Sequence, residues 1–257
     1  MSLKPSSLNH IQAASLPYVV CTAWSAIRQA GGVNEENAQK KRVLVIGASG
    51  GVGSYAVQLL KAWQAEVVAT CGPDSIERMY SYNADLVLDY KNLSFQEDLQ
   101  KTSAFDLILD CAYTNEKDVS TLMSLLKPRA GARYVTLNGP LLRNNDNFGF
   151  PFGFIKSACD FGVRNVQYQL DGGKTLAWGL FQPSRNALQQ TAKLVDQQFV
   201  RFNIISLHFL LNYYFGLRSI KTNIFFRSEP KWIKCTLLIN CPKQLPKLDR
   251  VTAEEKP

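Results

Sequence analysis

The sequence has 257 residues, of which 46% are hydrophobic and 19% charged, and its formal net charge is +8. This composition is typical of a soluble globular protein. The sequence contains no uninterrupted run of 18 apolar residues, so no membrane-spanning helix is predicted. Residues 200–257 hold 10 Lys and Arg against 4 Asp and Glu, whereas residues 1–199 hold 19 against 17. The excess of basic residues therefore lies after residue 199, outside the part of the sequence in which helix and strand patterns predict a folded domain. For this reason we expect no nucleic-acid partner.

The cysteines and histidines are too scattered to predict a disulfide framework or a metal site. Six cysteines are present without a Cys-x-x-Cys pair, and the two histidines, His10 and His208, are far apart. Zinc sites normally show closely spaced pairs of such ligands. We therefore expect reduced thiols in a reducing compartment and no bound metal.

The first 40 residues are predicted to form a helical lead-in segment. Apolar residues recur at near-helical spacing over residues 7–30, with Ser7 as the N-cap. Pro17 lacks a backbone donor, so two helices with a kink between them are expected. The pair Gly31 and Gly32 ends the second helix.

From residue 41 onwards, strand and helix patterns alternate. Predicted strands cover residues 42–47, 66–71, 85–90, 105–111 and 133–138, and predicted helices cover residues 52–63, 75–83, 94–101 and 116–127. The first strand is a continuous β-branched apolar run, which is typical of a parallel strand covered on both faces. Short connections between alternating elements predict an α/β protein with a doubly wound parallel sheet, the Rossmann fold.

The rest of the sequence is harder to assign. Residues 139–174 are rich in Asn, Gly and Phe without a clear period, whereas residues 175–181 suggest a sixth strand and residues 184–197 a capped helix. We predict that the NAD(P)-binding Rossmann domain covers residues 41–200. Residues 201–257 are apolar without a period and then basic, and we expect this unassigned C-terminal tail to lie outside the native fold.

A glycine-rich turn separates the first predicted strand from the helix that follows. It reads GASGGVG over residues 47–53 and fits the dinucleotide pattern Gly-x-Gly-x-x-Gly as Ala48-x-Gly50-x-x-Gly53. Gly50 lets the backbone approach a pyrophosphate, Gly53 lets helix and strand pack closely, and Ala48 is tolerated if its φ stays negative. The predicted cofactor contacts at this helix N-terminus are Ser49, Gly50, Gly51, Val52, Gly53 and Ser54.

The end of the second strand selects between the two nicotinamide cofactors. In NAD-binding domains an acidic residue about 20 positions after the glycines binds the ribose 2′-hydroxyl. Here the strand ends in Thr70, Cys71 and Gly72, and Arg78 follows a turn later, either to meet a 2′-phosphate or to lie on a solvated helix face. We predict NADPH as the cofactor, with Gly72 and Arg78 at its ribose phosphate.

Three further residues lie at the ends of predicted strands. Tyr90 closes the third strand, Asp110 the fourth and Asn138 the fifth. Doubly wound sheets bind their ligands at the carboxyl edge, so we predict that all three contact the cofactor. For Tyr90, a role as an ordinary rim tyrosine stays open.

Several segments together resemble the medium-chain dehydrogenase/reductase superfamily, in its zinc-independent quinone oxidoreductase branch. The matching text is AASLPYVVCTAWSAI at 13–27, KRVLVIGASGGVGSYAVQLLKAW at 41–63, ADLVLDY at 84–90, FDLILDC at 105–111 and ARYVTL at 132–137. The resemblance covers about residues 5–200. Members of this family carry a GroES-like catalytic domain before the Rossmann domain, and we expect this chain to lack it.

The resemblance implies hydride transfer from NADPH to a quinone or enone-type small molecule in a mitochondrial protein, although no targeting segment is visible. The catalytic residues belong to the domain that we expect to be missing, so none is named. The alternative is a non-catalytic nucleotide-binding or partner-binding module. Two further interactions stay open, namely membrane association of residues 202–215 and formation of a homodimer.

Overall fold

The computed structural model describes residues 4–112, 114, 116–128, 131–139 and 141–201. The strands of this part of the chain are β1 (Arg42–Ile46), β2 (Glu66–Cys71), β3 (Leu86–Asp89), β4 (Leu107–Asp110), β5 (Arg133–Thr136) and β6 (Thr175–Trp178). They form one parallel sheet in the order β3-β2-β1-β4-β5-β6. The strand order reverses between β1 and β4, as in a Rossmann sheet, so the predicted fold class is confirmed.

Helices cover both faces of the sheet. They are α1 (His10–Ala14), α2 (Leu16–Trp24), α3 (Gly51–Ala62), α4 (Ile76–Ser81), α5 (Phe95–Lys101), α6 (Glu116–Ser124), α7 (Leu141–Phe148), α8 (Phe152–Leu170) and α9 (Arg185–Asp196). Residues of α2, α3, α4 and α9 join one hydrophobic core, and residues of α5, α6 and α8 join the other. The sheet is therefore doubly wound.

Strand β1 shows why its sequence is apolar at consecutive positions. Val43 and Val45 lie in the first core and Leu44 in the second, and all three are fully buried. A strand with helices on both faces has no solvent side, so period-two alternation of apolar and polar residues is lost.

The predicted break in the N-terminal helical segment is present but lies at Ser15 rather than at Pro17. Pro17 occupies the first turn of α2, where a missing backbone N–H breaks no intrahelical bond. Helix α2 then continues into a π-helical turn, Ser25–Ala30, and the chain turns at Gly32, whose φ is +67°. The lead-in segment packs closely, because most of α2 is buried in the same core as α3 and α9.

Helix α6 ends earlier than its sequence pattern predicts. The prediction places its end at Lys127, before Pro128, whereas the helix stops at Ser124. The carbonyl of Leu125 accepts the N–H groups of Ala104 and Phe105, and Lys127 N–H donates to the Phe105 carbonyl. This pairing with the chain entering β4 replaces the last helical turn.

Residues 139–174 contain two helices, α7 and α8, which the sequence pattern did not predict. Helix α8 has 19 residues and is joined to β6 by the turn at residues 171–174. The predicted sixth strand is confirmed but ends at Trp178, and the predicted capped helix is α9, whose N-cap Ser184 accepts the Ala187 N–H at 3.2 Å.

The C-terminal tail, apart from Arg201, lies outside the described residues, so its prediction stays a prediction. Among the helices of the described ranges, none is both long and apolar enough to cross a membrane.

Candidate cofactor site

The glycine-rich turn joins β1 to α3 at the carboxyl edge of the sheet. Gly47 adopts a left-handed conformation with φ +72°, and a Cβ at this position would lie 3.1 Å from Ala112. Ala48 is fully buried and keeps a negative φ, and its N–H donates to the Thr70 carbonyl at 2.9 Å. The turn therefore depends on Gly47, one residue before the dinucleotide pattern begins, and on Thr70 of β2. Neither residue is among the cofactor contacts predicted from the sequence.

Gly50 is the N-cap of α3 and has no side chain that could accept a hydrogen bond from the first helical turn. The Ser54 N–H donates to the Gly50 carbonyl at 2.9 Å, so regular helical bonding begins at Ser54. The amides of Gly51, Val52 and Gly53 precede it and point out of the helix N-terminus. Such a helix end attracts an anion through its amides and its dipole.

The two predicted pattern glycines meet different surroundings. A Cβ on Gly53 would lie 2.4 Å from the Gly47 carbonyl oxygen and 2.8 Å from Ala48 Cα, both backbone atoms. A Cβ on Gly50 would meet only the Gly47 oxygen, at 3.4 Å, among the described residues. Gly53 is thus required for packing of the protein itself, whereas the open space at Gly50 allows a ligand to approach.

Arg78 of α4 reaches the glycine-rich turn. Its Nη2 donates to the Ser49 carbonyl at 3.0 Å and to Ser75 Oγ at 3.1 Å. Its Nε is buried and has no hydrogen-bond partner within the described part of the chain. The guanidinium is therefore held beside the α3 N-terminus, and the described residues do not use all of its N–H donors.

Gly72 and Tyr90 are neighbours at the same edge. The Tyr90 N–H donates to the Cys71 carbonyl at 3.2 Å, and a Cβ on Gly72 would lie 3.5 Å from the Tyr90 hydroxyl. Tyr90 is 55% exposed, so its hydroxyl is accessible to a ligand. Burial and then the Asp89 carboxylate raise the pKa of the Cys71 thiol, which Arg78 partly offsets.

Asp110 and Asn138 lie on the other side of the turn and both bind the loop after β4. Asp110 is buried; its carboxylate accepts the Tyr134 hydroxyl at 2.8 Å and the Ala112 N–H at 3.0 Å. Burial raises the pKa of Asp110, and these hydrogen bonds oppose the shift. Asn138 Nδ2 donates to the Ala112 carbonyl at 2.6 Å. The Asp110 carboxylate thus faces protein groups and fixes the loop behind Gly47.

The predicted site residues therefore fall into two groups around the turn at residues 47–53. One group contains Arg78, Gly72 and Tyr90 beside β2 and β3, and the other contains Asp110 and Asn138 beside β4 and β5. The arrangement can bind a dinucleotide along the carboxyl edge of the sheet. In the described ranges no three His, Cys, Asp or Glu residues are grouped closely enough to hold a metal ion.

A cavity of about 350 Å³ lies elsewhere, at the amino-terminal edge of the sheet. It is lined by Gln39, Lys40, Lys41, Arg42, Glu66, Ala104 and Lys127. Two of its four cations are in close ion pairs, Lys127 with the buried Asp106 at 2.6 Å and Arg42 with Glu66 at 3.0 Å. We place the candidate site at the carboxyl edge, where the glycine-rich turn and the helix N-terminus lie.

Comparisons with known proteins agree with this geometry. The family model described as "Zinc-binding dehydrogenase" matches residues 51–150. The mitochondrial NAD(P)H oxidoreductase RTN4IP1 of Danio rerio is 43% identical over 201 residues, covering 78% of this chain and 51% of the relative. Its Homo sapiens counterpart is 42% identical over 201 residues, covering 78% and 50%.

Solved structures show the same fold. The quinone oxidoreductase from Coxiella burnetii matches with a TM-score of 0.60 and 22% identity, covering 82% of this chain and 59% of that chain. The chain spans about half the length of the curated relatives that it matches. Over the matched residues, these similarities confirm the predicted resemblance to the medium-chain dehydrogenase/reductase superfamily.

Proposed function

We propose that this chain binds NADPH at the carboxyl edge of its sheet in preference to NADH. The observation that carries this proposal is the position of Arg78. Its guanidinium lies at the glycine-rich turn with a buried Nε that lacks a hydrogen-bond partner in the described structure, while the tip of β2 is Gly72 rather than an acid. A cation without a competing carboxylate at the strand tip favours the 2′-phosphate of NADPH.

The residues of the turn fit the rest of the cofactor. The amides of Gly51, Val52 and Gly53 and the open space at Gly50 would hold the pyrophosphate. Ser49 and Ser54 flank these amides, and the accessible Tyr90 hydroxyl would join Arg78 at the ribose phosphate.

On the opposite side of the turn, Asn138 and the loop that Asp110 fixes would face the nicotinamide half of the cofactor. This assignment follows from the strand order, because the cofactor extends along the carboxyl edge from β2 and β3 towards β4 and β5.

We further propose that the complete protein transfers hydride between NADPH and a quinone or an activated alkene in mitochondria. When bound, the nicotinamide supplies the hydride, and the residues described above bind and orient the cofactor. The names of the relatives support this proposal: the RTN4IP1 proteins are named mitochondrial NAD(P)H oxidoreductases, and a relative from Arabidopsis thaliana, 46% identical over 89 residues, is named a chloroplast envelope quinone oxidoreductase homolog. No residue of this chain is assigned a catalytic role.

A nucleotide-binding module without catalysis is the second candidate. It is favoured by the described site, whose residues can bind and orient a cofactor while none of them is assigned a catalytic role. Measuring cofactor binding and turnover separately distinguishes the two. An oxidoreductase oxidises NADPH in the presence of a soluble quinone, whereas a binding module holds NADPH without oxidising it. Failure of the chain to bind either cofactor would contradict both candidates.

We also propose that residues 41–200, with the packed lead-in segment, form the cofactor-binding unit, and that residues 202–257 are not needed for it. The described strands complete a six-stranded sheet before Arg201. Deleting residues 202–257 should leave the affinity for NADPH unchanged. A lost cofactor site or an unfolded product would show instead that the tail belongs to the domain.

A further inference from the structure

The cavity at the amino-terminal edge of the sheet, which we call the amino-edge cavity, is a concave site separate from the glycine-rich turn. Arg42 begins β1 and Glu66 begins β2, and both line this cavity, so it lies at the opposite end of these strands from the turn. Its volume of about 350 Å³ is at the lower end of the range for small-molecule sites. The cavity therefore has room for a compact ligand.

The charges around the amino-edge cavity are predominantly positive. Four of its lining residues are cations, and Glu66 is a carboxylate. A second carboxylate, Asp106, is buried and accepts hydrogen bonds from Lys127 Nζ at 2.6 Å and from the Arg42 N–H at 3.0 Å. Its other oxygen is 3.7 Å from Lys41 Nζ. The four cations still exceed the two carboxylates by two charges, which favours a dianionic ligand.

The Arg42 guanidinium is held by protein contacts that do not use all of its donors. Its Nη1 donates to the Ser103 carbonyl at 3.1 Å, and its Cζ lies 5.3 Å from the centroid of the Phe105 ring. Its Nε is 3.0 Å from Glu66 Oε1 but has no hydrogen bond within the described ranges. A guanidinium fixed in this way is suited to phosphate, because its planar fork matches two phosphate oxygens.

The rim of the amino-edge cavity adds a further cation and an amide. Lys40 ends the short turn Ala38–Lys40, is exposed, and has no ion-pair partner in the part of the chain that the structure describes. Gln39 Nε2 donates to Gln64 Oε1 at 2.9 Å, which holds the amide at the rim. Lys40 is therefore available to a ligand that Arg42 binds.

We propose that the amino-edge cavity binds a phosphate dianion, either free phosphate or the phosphate group of a compact monoester. Arg42 binds the phosphate oxygens, and Lys40 contributes a second charge at the rim. Arg42 and Gly47 are separated by the length of β1, roughly 16 Å at about 3.3 Å per residue. A compact ligand in this cavity therefore leaves the cofactor site open, and this inference does not depend on the proposed function.

Isothermal titration calorimetry of the 257-residue chain with inorganic phosphate and with glycerol 3-phosphate tests the proposal. We expect saturable binding that Arg42→Gln weakens at least about tenfold, through loss of a charge-assisted hydrogen bond. Arg42→Lys retains the charge without the planar fork and should give an intermediate affinity. Lys193→Gln on α9 removes an exposed cation elsewhere and should leave the affinity unchanged.

A second variant covers the case in which Arg42→Gln does not fold. Lys40→Gln changes an exposed side chain outside the sheet and should weaken phosphate binding about two- to fivefold, as expected for one exposed charge. Phosphate binding that is absent, or that neither Lys40→Gln nor a folded Arg42→Gln weakens, would overturn the proposal.

The N-terminus of α3 also attracts anions, so each titration is repeated with saturating NADPH and with Gly50→Val. Binding in the amino-edge cavity should persist in both experiments, whereas phosphate binding that disappears in both would belong to the glycine-rich turn and would contradict the proposal. The two probes identify the source of the phosphate. Equal affinities assign the cavity to free phosphate, and tighter binding of glycerol 3-phosphate assigns it to a monoester.

Discussion

Arg78 Nη2 lies 3.0 Å from the carbonyl oxygen of Ser49 and joins the start of α4 to the glycine-rich turn. The two residues are 29 positions apart, and the parallel pairing of β1 with β2 brings them together. A cation is thereby held next to the helix N-terminus expected to bind the pyrophosphate. Cofactor preference can therefore be tested at Arg78, whose side chain is separate from the backbone amides expected to hold the pyrophosphate.

Replacing Arg78 tests whether its side chain contacts the 2′-phosphate of NADPH. Arg78→Gln should weaken NADPH binding roughly ten- to a hundredfold, because a charged hydrogen bond to phosphate contributes about 1.5–3 kcal/mol. NADH, which lacks the 2′-phosphate, should bind with nearly unchanged affinity. Fluorescence titration of both cofactors gives the ratio, and Lys101→Gln on α5 controls for loss of one surface charge. Equal weakening of NADPH and NADH would remove Arg78 from the 2′-phosphate site.

Adding an acid at the tip of β2 should change the preference in the opposite direction. Gly72 has φ −80° and ψ 164°, which any residue adopts, and a Cβ there would make an ordinary contact with Tyr90. Gly72→Asp should therefore fold, repel the 2′-phosphate and accept the ribose 2′-hydroxyl of NADH. We expect the NADPH preference to narrow or reverse in competitive titrations. Gly72→Asn has the same shape without the charge, and a shift of equal size in that variant would contradict the electrostatic explanation.

The two pattern glycines should respond differently to substitution. Gly50→Val should abolish cofactor binding while costing only about 1 kcal/mol of stability, because its side chain would enter open space at a helix N-cap. Gly53→Ala should destabilise the fold by about 1–3 kcal/mol or more, because its Cβ would overlap backbone atoms of Gly47 and Ala48. Urea denaturation and cofactor titration measured on both variants separate the roles. Similar losses of stability in the two variants would refute this distinction.

The buried Asp110 should make stability depend on pH. Burial raises the pKa of this carboxyl, so the folded chain retains its proton at pH values where the unfolded chain has lost it. As pH rises from about 4, ionisation of Asp110 then opposes folding, and this cost is complete above the folded-state pKa. Relative to Asp110→Asn, the wild-type free energy of unfolding should fall as pH rises through that window. A constant difference between the two proteins from pH 4 to 8, measured by urea denaturation, would show that the pKa is not raised.

Most of the sheet could be predicted because its strands are buried on both faces. A parallel strand such as β1 or β4 gives a short, continuous apolar run, and short connections then place the helices. The end of α6 could not be predicted, because Leu125 forms hydrogen bonds with residues about 20 positions earlier in the chain. A local helical pattern contains no information about that pairing.

Helix α8 was missed for a different reason. Its two buried residues, Gly153 and Ser157, are small, and Phe161 and Tyr168 are the inner-face aromatics packed on the core, while several exposed positions are apolar. Apolar residues therefore occur on both faces, and a search for a single apolar face does not find the helix.

In the candidate site, the glycine pattern and the strand tips could be predicted from the sequence, whereas the structural roles of Gly47 and Thr70 could not. The left-handed φ of Gly47 and the bond from Ala48 N–H to the Thr70 carbonyl arise only when β1 and β2 are paired. The inward orientation of the Asp110 carboxylate likewise depends on Tyr134 of the neighbouring strand β5.

Direct titration of the unmodified chain with NADPH and NADH is the most direct test of the proposed cofactor site. The Arg78 guanidinium beside the glycine-rich turn and Gly72 at the tip of β2 predict that NADPH binds at least about tenfold more tightly, as expected for one charge-assisted phosphate contact. Raising the salt concentration should reduce this preference, because the contact between Arg78 and the phosphate is partly exposed. Equal or tighter binding of NADH would contradict the assignment of this edge of the sheet as an NADPH site.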